Sequence, residues 1–195
     1  MISLLNASLT ALWITLGVIG AIILLVALWV FTTYNSFVKL KNNAEEGYAT
    51  MDVYLKKRYD LVPNLVETVK GYAKHEKETL DAVIKARNSA MSAKGTSKVE
   101  KEDALSGTLK NLFALSESYP DLKANTNFVS LQEQLQNIEQ DIANSRKYYN
   151  AVVKMLNTKI EMFPSNFIAK WFHFSKRDMF EVSNKQEKES VKVEF

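Results

Sequence analysis

The 195-residue chain sets 25 Lys and Arg against 22 Asp and Glu, for a formal net charge of +3, and contains no Cys. The near balance marks no nucleic-acid binder, and the missing thiols exclude disulfides, thiolate metal sites and cysteine nucleophiles. Six Gly and three Pro are few for this length and favour helices over a sheet.

No Asp, Glu, Lys, Arg or His occurs before Lys39, and Ala11 to Phe31 reads ALWITLGVIGAIILLVALWVF, with Thr15 its one polar side chain. About 20 helical residues cross a hydrocarbon core of about 30 Å, so the run predicts a transmembrane helix over residues 9–33, preceded by a short extracytoplasmic stretch, residues 1–8. A cleaved signal would need a basic first region and a shorter apolar core; neither is present. Lys39, Lys41, Lys56, Lys57 and Arg58 follow the run and no basic residue precedes it, which places the N-terminus outside and the following domain in the cytoplasm. Gly17 and Ala21 form a small-xxx-small pair with Gly20 beside them, the pattern that lets helices approach in lipid.

Beyond Tyr34 an apolar stripe continues without a linker through Phe37, Ala44, Tyr48, Met51, Leu55, Tyr59 and Val62, at helical steps of three and four. The anchor should therefore be the first part of the longest bundle helix. Asp60 is a good N-cap and Pro63 suits a first turn, so this helix is expected to end near Tyr59 and the next to begin near Leu61, with a kink or a reversal between them. Arg58, Asp60, Pro63, Asn64 and Glu67 gather at this break, as a polar clasp or as a partner-recognition corner. The second helix should run to about Ala93, with a loop over Gly95 to Lys98. A third spans about Lys101 to Ser118 and stops before Pro120. A fourth is capped by Thr126 or Asn127 and runs some 36 residues to Phe163-Pro164. Its heptad seam, Phe128 to Leu156, serves either a bundle core or an intermolecular coiled coil.

Residues 164–180 are aromatic and basic. Phe167, Ile168, Trp171 and Phe172 share a face if helical, with Lys170 beside them; the segment either lies on an anionic membrane surface or folds back onto the bundle. Residues 181–195 are polar and end in Val191-Lys192-Val193-Glu194-Phe195, a period-two pattern read as a disordered tail or as a strand added to a partner. The fold expected is all-α: one N-terminal transmembrane helix continuing into an antiparallel bundle of about four long helices over residues 34–163.

Catalytic signatures are missing. His75-Glu76-Lys77-Glu78-Thr79 begins like a zinc helix, but Thr79 stands where the second imidazole is needed. His173 reads as a surface residue. No catalytic residue, metal ligand or cofactor is assigned.

Several segments carry a resemblance. Tyr34 to Asn42, Leu55 to Ala73, Ala114 to Asn125, Phe128 to Leu135, Arg146 with Tyr148-Tyr149-Asn150, and Phe163 to Asn166 resemble, in order, the LemA family; Tyr48 stands where that family usually has Trp. The resemblance implies a bacterial membrane protein with one N-terminal span, a cytoplasmic domain of long antiparallel helices and no established enzymatic activity. The function it suggests is a non-enzymatic scaffold or interaction module at the inner membrane, with the lipid bilayer and a second copy of the chain as partners. The alternative is an adaptor that recruits or regulates a membrane-bound protease.

Overall fold

The computed structural model describes residues 2–180, so the expected tail strand falls outside the described residues. Six helices follow in order: α1 (Ile2–Tyr72), α2 (Lys77–Ser92), α3 (Thr96–Ser116), α4 (Pro120–Lys123), α5 (Thr126–Glu161) and α6 (Ser165–Trp171). Among the described residues there is no strand.

The break expected between Tyr59 and Leu61 does not exist. α1 is continuous for 71 residues with Pro63 inside it. Pro63 has no N–H to give the carbonyl of Tyr59 four residues back. That carbonyl instead accepts a hydrogen bond from Arg87 Nε on α2, at 2.7 Å. A side chain from the neighbouring helix replaces the lost backbone donor, so the helix passes through the proline. The chain reverses later, over residues 73–76, where Ala73 N–H still bonds Val69 O at 2.8 Å and Glu76 N–H reaches Ala73 O at 3.2 Å. The apolar stripe marks this place: it jumps from Ala73 to Leu80 across six polar side chains.

The loop expected over Gly95 to Lys98 lies instead over residues 93–95, ending at Gly95, whose φ of +61° is a left-handed conformation that glycine adopts without steric cost. Tyr119 is non-helical ahead of Pro120, as the residue before a proline should be. The cap of α5 sits one residue earlier than expected: Asn125 Oδ1 accepts from Phe128 N–H at 2.9 Å.

The described residues divide into two compact units, residues 2–43 with 153–177, and residues 44–152 with 178–180. In the second unit, α1, α2, α3 and α5 form an up-down-up-down bundle. Antiparallel neighbours are shown by Tyr59 meeting Arg87, Asp103 meeting Arg146 and Phe113 meeting Phe128. Met51, Leu55, Leu65, Leu105, Leu112 and Leu135 are among its fully buried side chains. Phe128, Leu135, Ile142 and Tyr149 of the heptad seam are buried in this single chain, so its own helices cover them. Gly47 is where α1 and α5 approach closely: a Cβ there would stand 3.1 Å from the Tyr148 ring.

In the first unit, Phe37, Leu156, Ile168 and Ala169 form a core flanked by Val30, Leu40, Ile160 and Phe174. The Phe174 ring stacks on Phe37 at 4.9 Å, and Phe172 meets Tyr34 at 4.7 Å. The segment after Pro164 thus folds back on its own unit. Ile168, grouped with Phe167, Trp171 and Phe172 on one helical face, is 4% exposed. A seven-residue helix with a broad packed side turns it inward, while Phe167 and Trp171 remain outside.

In the Arg87→Leu variant, the Tyr59 carbonyl should lose its partner and unfolding stability should fall by about 1–3 kcal/mol. Adding Pro63→Ala supplies an N–H four residues on, so the double variant should recover most of that loss. Urea unfolding of the four members of this cycle in detergent measures the coupling; additive losses would show that Arg87 does not replace the proline's donor.

Candidate functional site

Three parts of the molecule carry unusual chemistry: a buried charge network, a pair of side-chain clamps on α5, and an apolar surface with a groove at its end. The network centres on Arg58, which is 1% exposed. Its position in α1 lies in phase with Leu55 and Val62, so the helix carries the guanidinium into the core. Nη2 donates to Glu102 Oε2. Nη1 donates to Glu139 Oε1 and, at 2.8 Å, to Ser106 Oγ. The Tyr59 hydroxyl donates to the other Glu102 oxygen. α1, α3 and α5 are thereby tied through one cation.

Glu102 is fully buried. Burial, followed by the hydrogen bond to Glu102 and that carboxylate's charge, holds the Tyr59 hydroxyl well above the ordinary tyrosine range. At the edge of the same bundle, burial works to lower Lys98, but its 2.7 Å bond to Asp52 together with the charges of Tyr48, Asp52 and Glu102 outweighs this and the pKa is raised. Glu76, the second residue of the zinc-like run, accepts from Tyr119 OH at 2.9 Å, and that bond raises the tyrosine. Among the described residues, no three His, Cys, Asp or Glu side chains come together as metal ligands.

Asn150 and Asn157, seven residues apart on α5, make the same clamp in different units. Asn157 donates from Nδ2 to Arg177 O and accepts from Arg177 N–H, at 2.8 and 2.9 Å. Asn150 does the same for Phe180, at 3.0 and 2.7 Å. An amide side chain offers one donor and one acceptor side by side, so each clamp satisfies both backbone groups of a residue that has no strand partner.

The residues expected at a break are not gathered at one. Arg58 points into the core, while Asp60, Asn64 and Glu67 are exposed, at helical spacing along the outer side of α1. Pro63 and Glu67 do line a groove of about 670 Å³ between the end of α1 and α2, with Val66, Lys70, Leu80 and Ile84. Sequence reasoning missed Glu102, Ser106 and Glu139 as partners of Arg58. A signal was present: Glu102 and Glu139 each precede a buried position, Leu105 and Ile142, by three residues, a charge within an apolar stripe.

The apolar part of α1 is long and apolar enough to cross a membrane, and none of it is buried. A soluble core helix of that composition would be covered. Gly17 and Gly20 have open space where a Cβ would stand. In the same unit Phe163 and Trp171 are 77% and 76% exposed, with Phe167, Phe172 and Met162 also exposed and Lys170 beside them. Met162 and Phe163 border a groove of about 700 Å³ that Trp29 and Thr33 of α1 also line.

The family model described as the LemA family matches residues 47–195. A relative, Protein LemA of Metamycoplasma hominis, is 26% identical over 165 residues, covering 82% of this chain and 72% of its own length.

Arg58→Met alone should leave Glu102 buried without its cation and cost about 3–5 kcal/mol. Arg58→Met with Glu102→Met should recover at least half of that in denaturant unfolding, since two apolar side chains need no pairing. Alkaline stability provides a second check. Above about pH 10 unfolded tyrosines lose their proton while Tyr59 keeps its own, so the folded state becomes progressively less favoured as pH rises. Lys98 acts in the same direction. Tyr59→Phe should make the stability loss between pH 10 and 12 shallower than in the wild-type chain; identical slopes would mean that Tyr59 titrates normally.

Proposed function

The chain belongs to the LemA family, and from that premise we propose that it is a non-enzymatic helical module, anchored in the bacterial inner membrane by α1, that acts by assembly or partner binding. One observation carries this reading: an uncharged helical run of membrane-spanning length whose side chains are exposed all round. Exposed apolar surface of that extent is stable in lipid and costly in water, at about 25 cal/mol per Å². The interior of the bundle is filled by packing and by the Arg58 network, in which both Nη groups of the guanidinium are paired and Nε is not.

Orientation follows from Lys39 and Lys41, the first basic residues after the run, which hold the helical domain in the cytoplasm with the N-terminus outside. Phe167, Trp171 and Phe172 with Lys170 rest at the bilayer interface as a second contact, where an aromatic body and a cationic tip are both accommodated. Ile168 serves the core instead. Gly17, Gly20 and Ala21 offer a face for a second copy in the bilayer.

A second reading rests on the groove between α1 and α2. Its mixed lining of Pro63, Val66, Leu80 and Ile84 with Glu67 and Lys70, beside exposed Asp60 and Asn64, suits an extended segment of a protein partner, which supports an adaptor that recruits a membrane-bound protease. Co-purification of a protease from native membranes, abolished by Val66→Asp, would favour this adaptor over self-assembly.

The full-length chain purified in detergent should have a mass that is a multiple of its 22.2 kDa, and Gly17→Leu with Gly20→Leu should shift it toward the monomer. A monomer in the wild type would end the assembly reading. Lys39→Glu with Lys41→Glu should move a C-terminal reporter toward the outside; a reporter that stays inside would remove charge bias as the determinant of topology.

A further inference from the structure

The groove of about 700 Å³ at the end of the apolar run has a composition that the anchor itself does not require. Trp29 and Thr33 of α1 open it, Leu40 and Met155 make apolar wall, and Lys154 and Lys159 of α5 supply the charge. Its lining holds two lysines and no carboxylate. Lys159 donates to Ser36 Oγ and stands 5.3 Å over the Phe37 ring, but among the described residues no carboxylate lies within ion-pair distance of it. Lysines elsewhere on the chain find such partners: Lys98 with Asp52, Lys123 with Glu117, Lys176 with Glu161. Burial without a counter-ion pulls the Lys159 ammonium below the ordinary lysine range. An anion would supply what the amine lacks.

We propose that this groove binds an anionic phospholipid, its phosphate between Lys154 and Lys159 and its upper acyl chain along Trp29, Leu40 and Met155. The site rests on the reading of α1 as a membrane span. On that reading Trp29 and Thr33, where the apolar run ends, stand at headgroup depth, so the groove opens where lipid phosphates are. Hydroxyls of Thr33, Ser36 and Thr158 provide donors for the phosphate oxygens that the two ammonium groups do not reach. The occupant is a lipid because the apolar wall is continuous with the span; a free phosphate would leave that wall in water.

The test uses the full-length chain with Trp13→Phe and Trp171→Phe, so that Trp29 is the one indole, reconstituted in phosphatidylcholine vesicles. Brominated phosphatidylglycerol or brominated phosphatidylcholine is added at equal mole fraction and Trp29 quenching is read. Phosphatidylglycerol should be enriched about fivefold at the probe for each lysine engaged. Lys154→Gln with Lys159→Gln should abolish the excess, Lys154→Arg with Lys159→Arg should keep it, and Lys39→Gln with Lys41→Gln should leave it in place. Equal, strong quenching by both lipids would overturn the site while leaving the anchor intact. An excess that survives the Gln pair would overturn it as well, by showing that other cations attract the lipid. Inorganic phosphate that removes the excess would overturn the lipid assignment in favour of a free anion. Absence of quenching by either lipid would mean that α1 is not in the bilayer, and the anchored reading would fall too.

Discussion

Arg58 carries a full positive charge into the interior of a helical bundle, and the neighbouring helices are arranged to answer it. Glu102 from α3 and Glu139 from α5 supply the negative charge, and Ser106 and Tyr59 occupy further polar positions. Such a network adds little stability over an apolar core of the same volume. Its consequence is register. Leucine layers tolerate a slide of one helix past another far better than a buried guanidinium tolerates losing its carboxylates. With α1 carrying the cation and α3 and α5 the anions, the bundle has one arrangement in which no charge is left bare.

The same demand for satisfied polar groups explains the backbone. Pro63 leaves the Tyr59 carbonyl open, one residue from Arg58, and Arg87 closes it from α2. Three helices thus answer polar groups that a single stretch of α1 brings inside. Asn150 and Asn157 do equivalent work for the chain after α6, each closing both backbone groups of one residue. In the unit that contains the apolar run, the balance differs. Ile168 and Ala169 close the core, while Phe163, Phe167 and Trp171 stay outside. On the anchored reading proposed above, exposed aromatic rings on this side would meet lipid rather than water.

Much of the fold was legible because period and composition are local properties. The apolar run, the uninterrupted stripe after Tyr34, the stop before Pro120 and the length of α5 all follow from the order of residues along one helix. The misplaced reversal has a physical cause. Asp60 and Pro63 make a sound helix start taken alone, and only the donor brought by Arg87, 24 residues beyond Pro63, reverses that preference. The jump from Ala73 to Leu80 held the correct answer. Of the site, Arg58 was noticed but placed at a corner, because its anions lie 44 and 81 residues away. The basic groove was invisible for the same reason: Trp29 and Lys159 come together only through packing.

By itself the sequence determined the helical class, the uncharged run of membrane-spanning length and the family, since each depends on residue identity and spacing along the chain. The tertiary structure decided where the chain turns, which charges are buried and which aromatic rings remain outside. Those outcomes depend on what another helix offers at a given point: a donor for an orphaned carbonyl, a carboxylate for a guanidinium, or a wall of side chains for one side of a short helix. Spacing within one element cannot supply that information, because the free energy of a polar group in a core is set by its partner.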